Sequence, residues 1–323
     1  MLANDYMTMT ANRKALVSDL RLVFFGMLGD LSRIPLAALL DAGVNVVGVV
    51  VPASALPLPG HSPGASIIPV SAETERSQLP LLTPYMSPNV VHLAWQRRLP
   101  VFAAHRLDTA ETLATVAGLH PDLIGVSCFS QRLPKALLDL PRHGCLNLHP
   151  SLLPDLRGPA PLFWTFRQGQ TNSGVTVHFM DEDLDTGDIA LQAPLLLPDG
   201  ISGAEAERLC ASRGAQLLVE AVQALAQGQL ARRPQPPGGS TYPWPVATDF
   251  RLDRRWPARH AFNFMRGTAE WGRPYTVTVD GDELELATAL AYRAGITHAA
   301  PAIRQGKDVF IRFTPGVLQA RLV

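Results

Sequence analysis

Residues 21–51 read RLVFFGMLGDLSRIPLAALLDAGVNVVGVVV. The β-branched and aromatic run Arg21 to Phe25 ends at Gly26, a helix-like stretch covers about Ile34 to Asp41, and after Gly43 the run Val46 to Val51 is again strongly β-forming, interrupted only by Gly48. Strand, helix and strand with glycine at the turns imply a parallel sheet. The turn Gly26-Met-Leu-Gly29-Asp30 lacks the G-x-G-x-x-G spacing of a dinucleotide site and reads as an ordinary tight turn into a helix.

The alternation continues outward. Residues 52–88 are rich in Pro, Ser, Ala and Gly and read as a long surface connection. A helix (Val91 to Gln96), a strand (Pro100 to Ala103), a helix (Thr109 to Gly118), a buried strand (Leu123 to Cys128), a short helix with Pro134 in its first turn and a strand (Cys145 to His149) follow. Gly203 to Gln227 carries Ala206, Leu209, Cys210, Leu217, Leu218 and Val222 broadly on one helical face. Residues 228–246 hold Pro234, Pro236, Pro237, Pro243 and Pro245, which no helix or central strand accommodates. Beyond them one helix (Ala258 to Met265) and strands at Tyr275 to Val279, Glu283 to Leu290 and Val309 to Phe313 are expected, with Asp280-Gly281 as a hairpin turn.

The expected organisation is an N-terminal extension (1–20), an α/β domain with a Rossmann-like, mostly parallel sheet and flanking helices (21–229), a linker (230–246) and a small β-rich domain (247–323). Charge follows that division. Residues 1–229 hold 15 Lys+Arg against 20 Asp+Glu, a balance of −5; residues 230–323 hold 13 against 8, a balance of +5. Two regions with different tasks are implied. No apolar run reaches the length of a membrane span. Three widely spaced cysteines, Cys128, Cys145 and Cys210, fit buried thiols of a reducing, cytoplasmic compartment better than a disulfide framework or a zinc site, and no metal is expected.

The chemically informative stretch is Asn147-Leu-His149-Pro-Ser151-Leu-Leu-Pro154, then Arg157-Gly158 and Pro161, Gly174-Val-Thr-Val-His178, and Leu184-Asp185-Thr-Gly187. Asn147 and His149, two apart at a strand end, project to one side. Acyl transfer to an amine needs a donor for a developing oxyanion, a base for the amine proton and a group to orient that base. Asn147, His149 and Asp185 supply those residue types. On spacing alone an Asn-x-His pair on a strand is more often a hydrogen-bonded structural pair than a catalytic one, Asp185 with Asp188 also reads as a simple turn, and His178 reads as a packed strand histidine or a site-lining one.

From Leu123 to Ile189 these motifs resemble the folate-dependent formyltransferases, a family that includes methionyl-tRNA, glycinamide ribonucleotide and amino-sugar enzymes. In two-domain layout the chain is most similar to the methionyl-tRNA branch. The resemblance implies catalytic roles for Asn147, His149 and Asp185, folate contacts from Ser151, Leu152, Leu153 and Pro154, and a pterin-lining loop with Phe129 and Leu133. It also implies 10-formyltetrahydrofolate as co-substrate, a primary amine as acceptor, and an oligonucleotide-binding-like (OB-like) barrel at the C-terminal end. Charged initiator tRNA is the acceptor implied for that branch, reached through the basic end, where Arg232, Arg233, Arg251, Arg254, Arg255, Arg259, Arg266 and Arg273 interleave with Trp244, Trp256 and Trp271.

Two features depart from the methionyl-tRNA branch. Residues 52–75, where that branch carries a basic loop, contain no Lys or Arg, and Pro150 follows His149. A nucleotide-linked amino sugar or another small amine therefore stays open as acceptor. Hydrolysis of the formyl folate and non-catalytic nucleotide or RNA binding are the alternatives from other classes.

Overall fold

The computed structural model describes residues 19–56, 65–71, 89–296 and 299–323. Most of the expected N-terminal extension (1–18), and 57–64 and 72–88 of the expected surface connection, lie outside these residues. The chain forms two compact units. The first takes the chain up to Arg157 with Val175–Ala193 and Cys210–Gly239; the second takes Gly158–Gly174, Pro194–Leu209 and Ser240–Val323.

An eight-stranded sheet has the order β3-β4-β2-β1-β5-β6-β7-β8. Its strands are β1 (Arg21–Gly26), β2 (Asn45–Pro52), β3 (Ile67–Val70), β4 (Val101–Ala104), β5 (Leu123–Ser127), β6 (Cys145–His149), β7 (Asn172–Phe179) and β8 (Ile189–Leu196). The pairs β1/β2, β1/β5, β2/β4 and β5/β6 are parallel, as the opening crossover requires, while β3/β4 and β6/β7 are antiparallel. The short strand β3 falls inside the stretch read as a connection. Pro69 obscures it in the sequence, and its edge position is where a strand tolerates proline.

Helix α1 (Asp30–Asp41) starts one turn before the expected Ile34 and carries Pro35 inside it. Proline leaves the Leu31 carbonyl without its helical donor, and the Ser127 hydroxyl at the end of β5 donates to that carbonyl instead. The Gly26–Asp30 turn is packed by Ser32, whose hydroxyl accepts from Met27 N at 2.8 Å and donates to Ser127 O at 2.6 Å. Helices α2 (Val90–Gln96) and α3 (Ala110–Gly118) start at Asn89 and Thr109, side-chain caps that accept from the first-turn amides. The short α4 (Lys135–Leu138) follows Pro134.

In the second unit, α5 (Pro161–Arg167) and α7 (Ala258–Gly267) surround a core with Phe163, Phe250, Phe264 and Tyr275. The long helix α6 (Gly203–Ala226) matches its expected span within one residue. A five-stranded antiparallel sheet has the order β11-β12-β13-β10-β9, with β9 (Tyr275–Val279), β10 (Asp282–Arg293), β11 (Ala302–Gln305), β12 (Asp308–Arg312) and β13 (Val317–Leu322). Asp280 (φ 54°) and Gly281 (φ 95°) close the β9–β10 hairpin with both central residues left-handed, as the dipeptide indicates. Among the described residues no helix is long and apolar enough to cross a membrane.

Candidate active site

Strand β6 is the platform. Leu146 and Leu148 are buried, so period-two alternation sends Asn147 and His149 to the other face. Helix α6 lies close over this strand: a Cβ on Gly214 would come within 2.4 Å of the Leu148 side chain. Antiparallel pairing with β7 sets Asn147 directly opposite His178 and His149 opposite Thr176. The loop after β7 then returns Asp185 to the same place. Asp185 sits at φ 58°, a left-handed conformation uncommon outside glycine, and Gly187 leaves no room for a side chain because its Cβ would fall 1.9 Å from the Phe179 carbonyl oxygen.

Four side chains meet there. His149, His178 and Asp185 are buried, at 4%, 1% and 8% exposure, and Asn147 is half-buried. The Asp185 carboxylate lies 3.6 Å from His149 Nδ1, 3.5 Å from His178 Nε2 and 3.4 Å from Asn147 Nδ2. Asn147 Nδ2 also lies 3.1 Å from His178 Nε2. Backbone carbonyls settle which ring nitrogens carry protons, since a carbonyl only accepts. His149 Nε2 donates to Leu156 O at 2.9 Å and His178 Nδ1 donates to Phe179 O at 2.9 Å. In the neutral rings His178 Nε2 therefore accepts from the Asn147 amide, and His149 Nδ1 keeps its lone pair toward Asp185.

Burial holds the His149 pKa below the ordinary imidazole value; the Asp185 charge raises it, the neighbouring His178 lowers it and the bond to Leu156 O raises it. Desolvation is the largest effect, so His149 is neutral near pH 7. A neutral imidazole with one free nitrogen aimed at a carboxylate can take a proton and gain an ion-pair partner in the same event.

The loop expected to contact folate runs directly from this cluster. Ser151 Oγ donates to Asp155 O, Leu153 N donates to Thr176 Oγ1, and Gln192 Nε2 donates to Leu153 O. Leu152 is left exposed at 37% while Leu153 is buried at 3%, and Pro154 packs against Gly239. Leu133 belongs to the core of the first unit, whereas Phe129 is half-buried, edge-on to Phe25 with ring centroids 5.3 Å apart. Cysteine burial corrects the sequence reading at one position. Cys145 and Cys210 are buried, burial pushing the Cys145 thiol up to about 12, but Cys128 is exposed at φ 54° in the turn that leaves β5. No group of three or more His, Cys, Asp or Glu side chains able to hold a metal occurs among the described residues.

His178, which the sequence leaves open between a packed and a site-lining histidine, joins the cluster through the pairing of β6 with β7. One further residue near it carries no sequence signal. Gln235, inside the proline-rich stretch, donates from Nε2 to Asp185 O at 2.7 Å and to Gly187 O at 2.9 Å. In the second unit the arginines expected to form a basic surface are largely engaged: Arg251 with Glu283, Arg255 with Asp253 and Arg259 with Asp199, while Arg254 and Arg266 donate to the carbonyls of Arg312 and Gly200. Trp256 stacks on His260 under Arg167, and Trp244 remains 61% exposed.

This architecture, with an Asn-x-His strand end facing an aspartate-bearing loop, coincides with a family match: the family described as formyl transferase matches residues 22–222. The chain belongs to the formyl transferase family. It is 38% identical over 202 residues to the methionyl-tRNA formyltransferase of Pelobacter propionicus, covering 62% of this chain and 63% of that protein, a little under two thirds of the relative's length. A longer match, 32% identical over 286 residues, covers 87% of this chain and 81% of the methionyl-tRNA formyltransferase of Bacillus velezensis. The crystal structure of an N-formyltransferase from Helicobacter canadensis, in complex with folinic acid and dTDP-3-aminofucose, superposes with a TM-score of 0.61 at 13% identity, covering 94% of this chain and 99% of that one. At that identity the likeness establishes the fold.

Proposed function

We propose that the protein transfers a formyl group from 10-formyltetrahydrofolate to a primary amine, with the amine of charged initiator methionyl-tRNA as acceptor. The observation that carries the chemistry is the meeting of half-buried Asn147 with the buried His149 and Asp185. The acceptor rests on relatives that are methionyl-tRNA formyltransferases. When bound, the folate supplies a formyl group on a nitrogen able to leave. Exposed Leu152 and half-buried Phe129 offer it apolar surface, with Ser151, Leu153, Pro154 and Leu133 shaping the backbone behind them.

His149 Nδ1 takes the proton of the attacking amine as the new N–C bond forms, the Asp185 carboxylate at 3.6 Å stabilises the imidazolium so formed, and that imidazolium gives the proton to the folate nitrogen as its bond to the formyl carbon breaks. The Asn147 amide N–H that reaches Asp185 over 3.4 Å is weakly held, and it turns to an oxygen that gains negative charge. No covalent bond to the protein is required.

A second reading keeps the chemistry and replaces tRNA by a nucleotide-linked amino sugar. It is favoured by residues 52–75, which hold no Lys or Arg, and by the paired state of Arg251, Arg255 and Arg259. The deciding experiment supplies 10-formyltetrahydrofolate with charged initiator tRNA, with a nucleotide-linked amino sugar, and with no acceptor. Formylated tRNA is expected; product only with the sugar supports the second reading, and folate turnover without acceptor identifies a hydrolase.

A further inference from the structure

Asp185 is held at its backbone more closely than its carboxylate is held by Asn147, His149 and His178. Those three side-chain contacts are 3.4 to 3.6 Å, whereas Gln235 reaches the Asp185 carbonyl at 2.7 Å and the Gly187 carbonyl at 2.9 Å. A residue at φ 58° costs conformational energy and persists only where its surroundings fix it. Gln235 is itself fixed. Its Oε1 accepts from Arg157 Nε at 3.1 Å and Nη2 at 2.7 Å, and because a guanidinium only donates, the amide Nε2 must face the Asp185 loop. Pro234, Pro236 and Pro237 restrict the backbone on both sides, and Arg233 exchanges two backbone hydrogen bonds with Ile189 at the start of β8.

We propose that Gln235 is a positioning residue: oriented by Arg157, it grips the Asp185–Gly187 backbone and holds the Asp185 carboxylate against His149. The proposal rests on the reading of His149 and Asp185 as the transfer centre. Arg157, in the Arg-Gly motif, thereby acquires a task two steps removed from the reacting atoms. A shift of about 1 Å in a catalytic group costs on the order of a hundredfold in rate.

The test uses the full chain with 10-formyltetrahydrofolate and whichever amine it formylates. Gln235→Met keeps the length and removes both functions of the amide; Gln235→Glu keeps an acceptor for Arg157 and loses the N–H donors, which guards against a variant that fails to fold. Both are expected to lower kcat by about 10- to 100-fold with KM for either substrate within about threefold. His149 is faced by Asp185 from the β7–β8 loop, by His178 from β7 and by the Leu156 carbonyl. Moving Asp185 away removes an influence that raises the His149 pKa, so the acid limb of the Gln235→Met profile shifts to lower pH. In an Asp185→Ala background, Gln235→Met should cost less than about twofold more, because the residue it positions is gone. Unchanged kcat in both Gln235 variants, or losses that multiply with Asp185→Ala, would overturn the proposal. Near wild-type activity in Asp185→Ala would instead overturn the transfer centre on which it rests.

Discussion

The buried cluster of the first unit and the surface of the second handle charge in opposite ways, and the surface of the first, with Arg97 and Asp41 at 2.6 Å, behaves like that of the second. In the second, guanidinium and carboxylate groups meet tightly: Arg255 and Asp253 at 2.5 Å, Arg259 and Asp199 at 2.7 Å, with Asn263 and Tyr292 adding hydrogen bonds to Asp199. In the first, the Asp185 carboxylate stands 3.4 to 3.6 Å from three polar groups, two of them buried imidazoles whose other nitrogens donate to backbone carbonyls. Close pairing at a surface fixes loops and is screened by water. Loose pairing in a buried site keeps an imidazole uncharged and leaves a carboxylate placed to stabilise the charge that ring gains on protonation. Short ion pairs thus mark scaffolding here, and the longer contacts mark the place where charge can move.

The largest test of that contrast is at the loose cluster. His149→Ala should lower turnover by about 10²- to 10⁴-fold through loss of the general base, read by steady-state formyl transfer, with an unchanged circular dichroism spectrum. Retained activity would place the base elsewhere.

A smaller effect is expected in pH dependence. On the proposed mechanism His149 acts in its neutral form, and its pKa is held below the ordinary value, so activity should fall only as pH drops below about 6.5. Asp185→Asn removes the charge that raises this pKa; the acid limb then moves to lower pH while the maximal rate falls. A limb that moves upward contradicts the arrangement. The same depression has a stability sign. The unfolded chain takes up this proton first, so stability from neutral His149 is present above about pH 6.5 and declines as pH falls below it.

The smallest effect belongs to the tight pairs. Arg251→Ala, which removes the exposed pair with Glu283 and the bond to Thr278, should change stability by about 1 kcal/mol or less and leave transfer to a small amine unchanged. A large loss of transfer to tRNA in this variant alone would show that the surface arginine is shared between scaffold and acceptor.

Much of this was legible in residues whose meaning is local. The opening crossover, the strand Cys145–His149, the helix at Gly203 and the Asp280-Gly281 turn each follow from hydrophobic period, capping or backbone preference. The side chains of Asn147 and His149 share a face because a strand alternates. What escaped depends on partners distant in sequence. The strand holding Pro69 and the first turn of the helix holding Pro35 went unread, since proline suits them only because an edge position and the Ser127 hydroxyl supply what it lacks. His178 was left open between packed and site-lining, because only the β6–β7 register sets it opposite Asn147. Gln235 sits among prolines that read as a plain linker, although its amide lies 2.7 Å from the Asp185 carbonyl. Cys128 looked buried from its apolar neighbours, yet the strand ends at Ser127 and the turn exposes it.

The most direct measurement is single-turnover transfer of labelled formyl from 10-formyltetrahydrofolate by the wild-type protein, Asn147→Ala, His149→Ala and the double variant, alongside folate binding by each. If the cluster works as a unit, wild type formylates the amine, each single variant is slowed by at least about a hundredfold, and the double variant is scarcely slower than the worse single one. Folate binding should be retained throughout. Near wild-type transfer by the double variant would contradict the account.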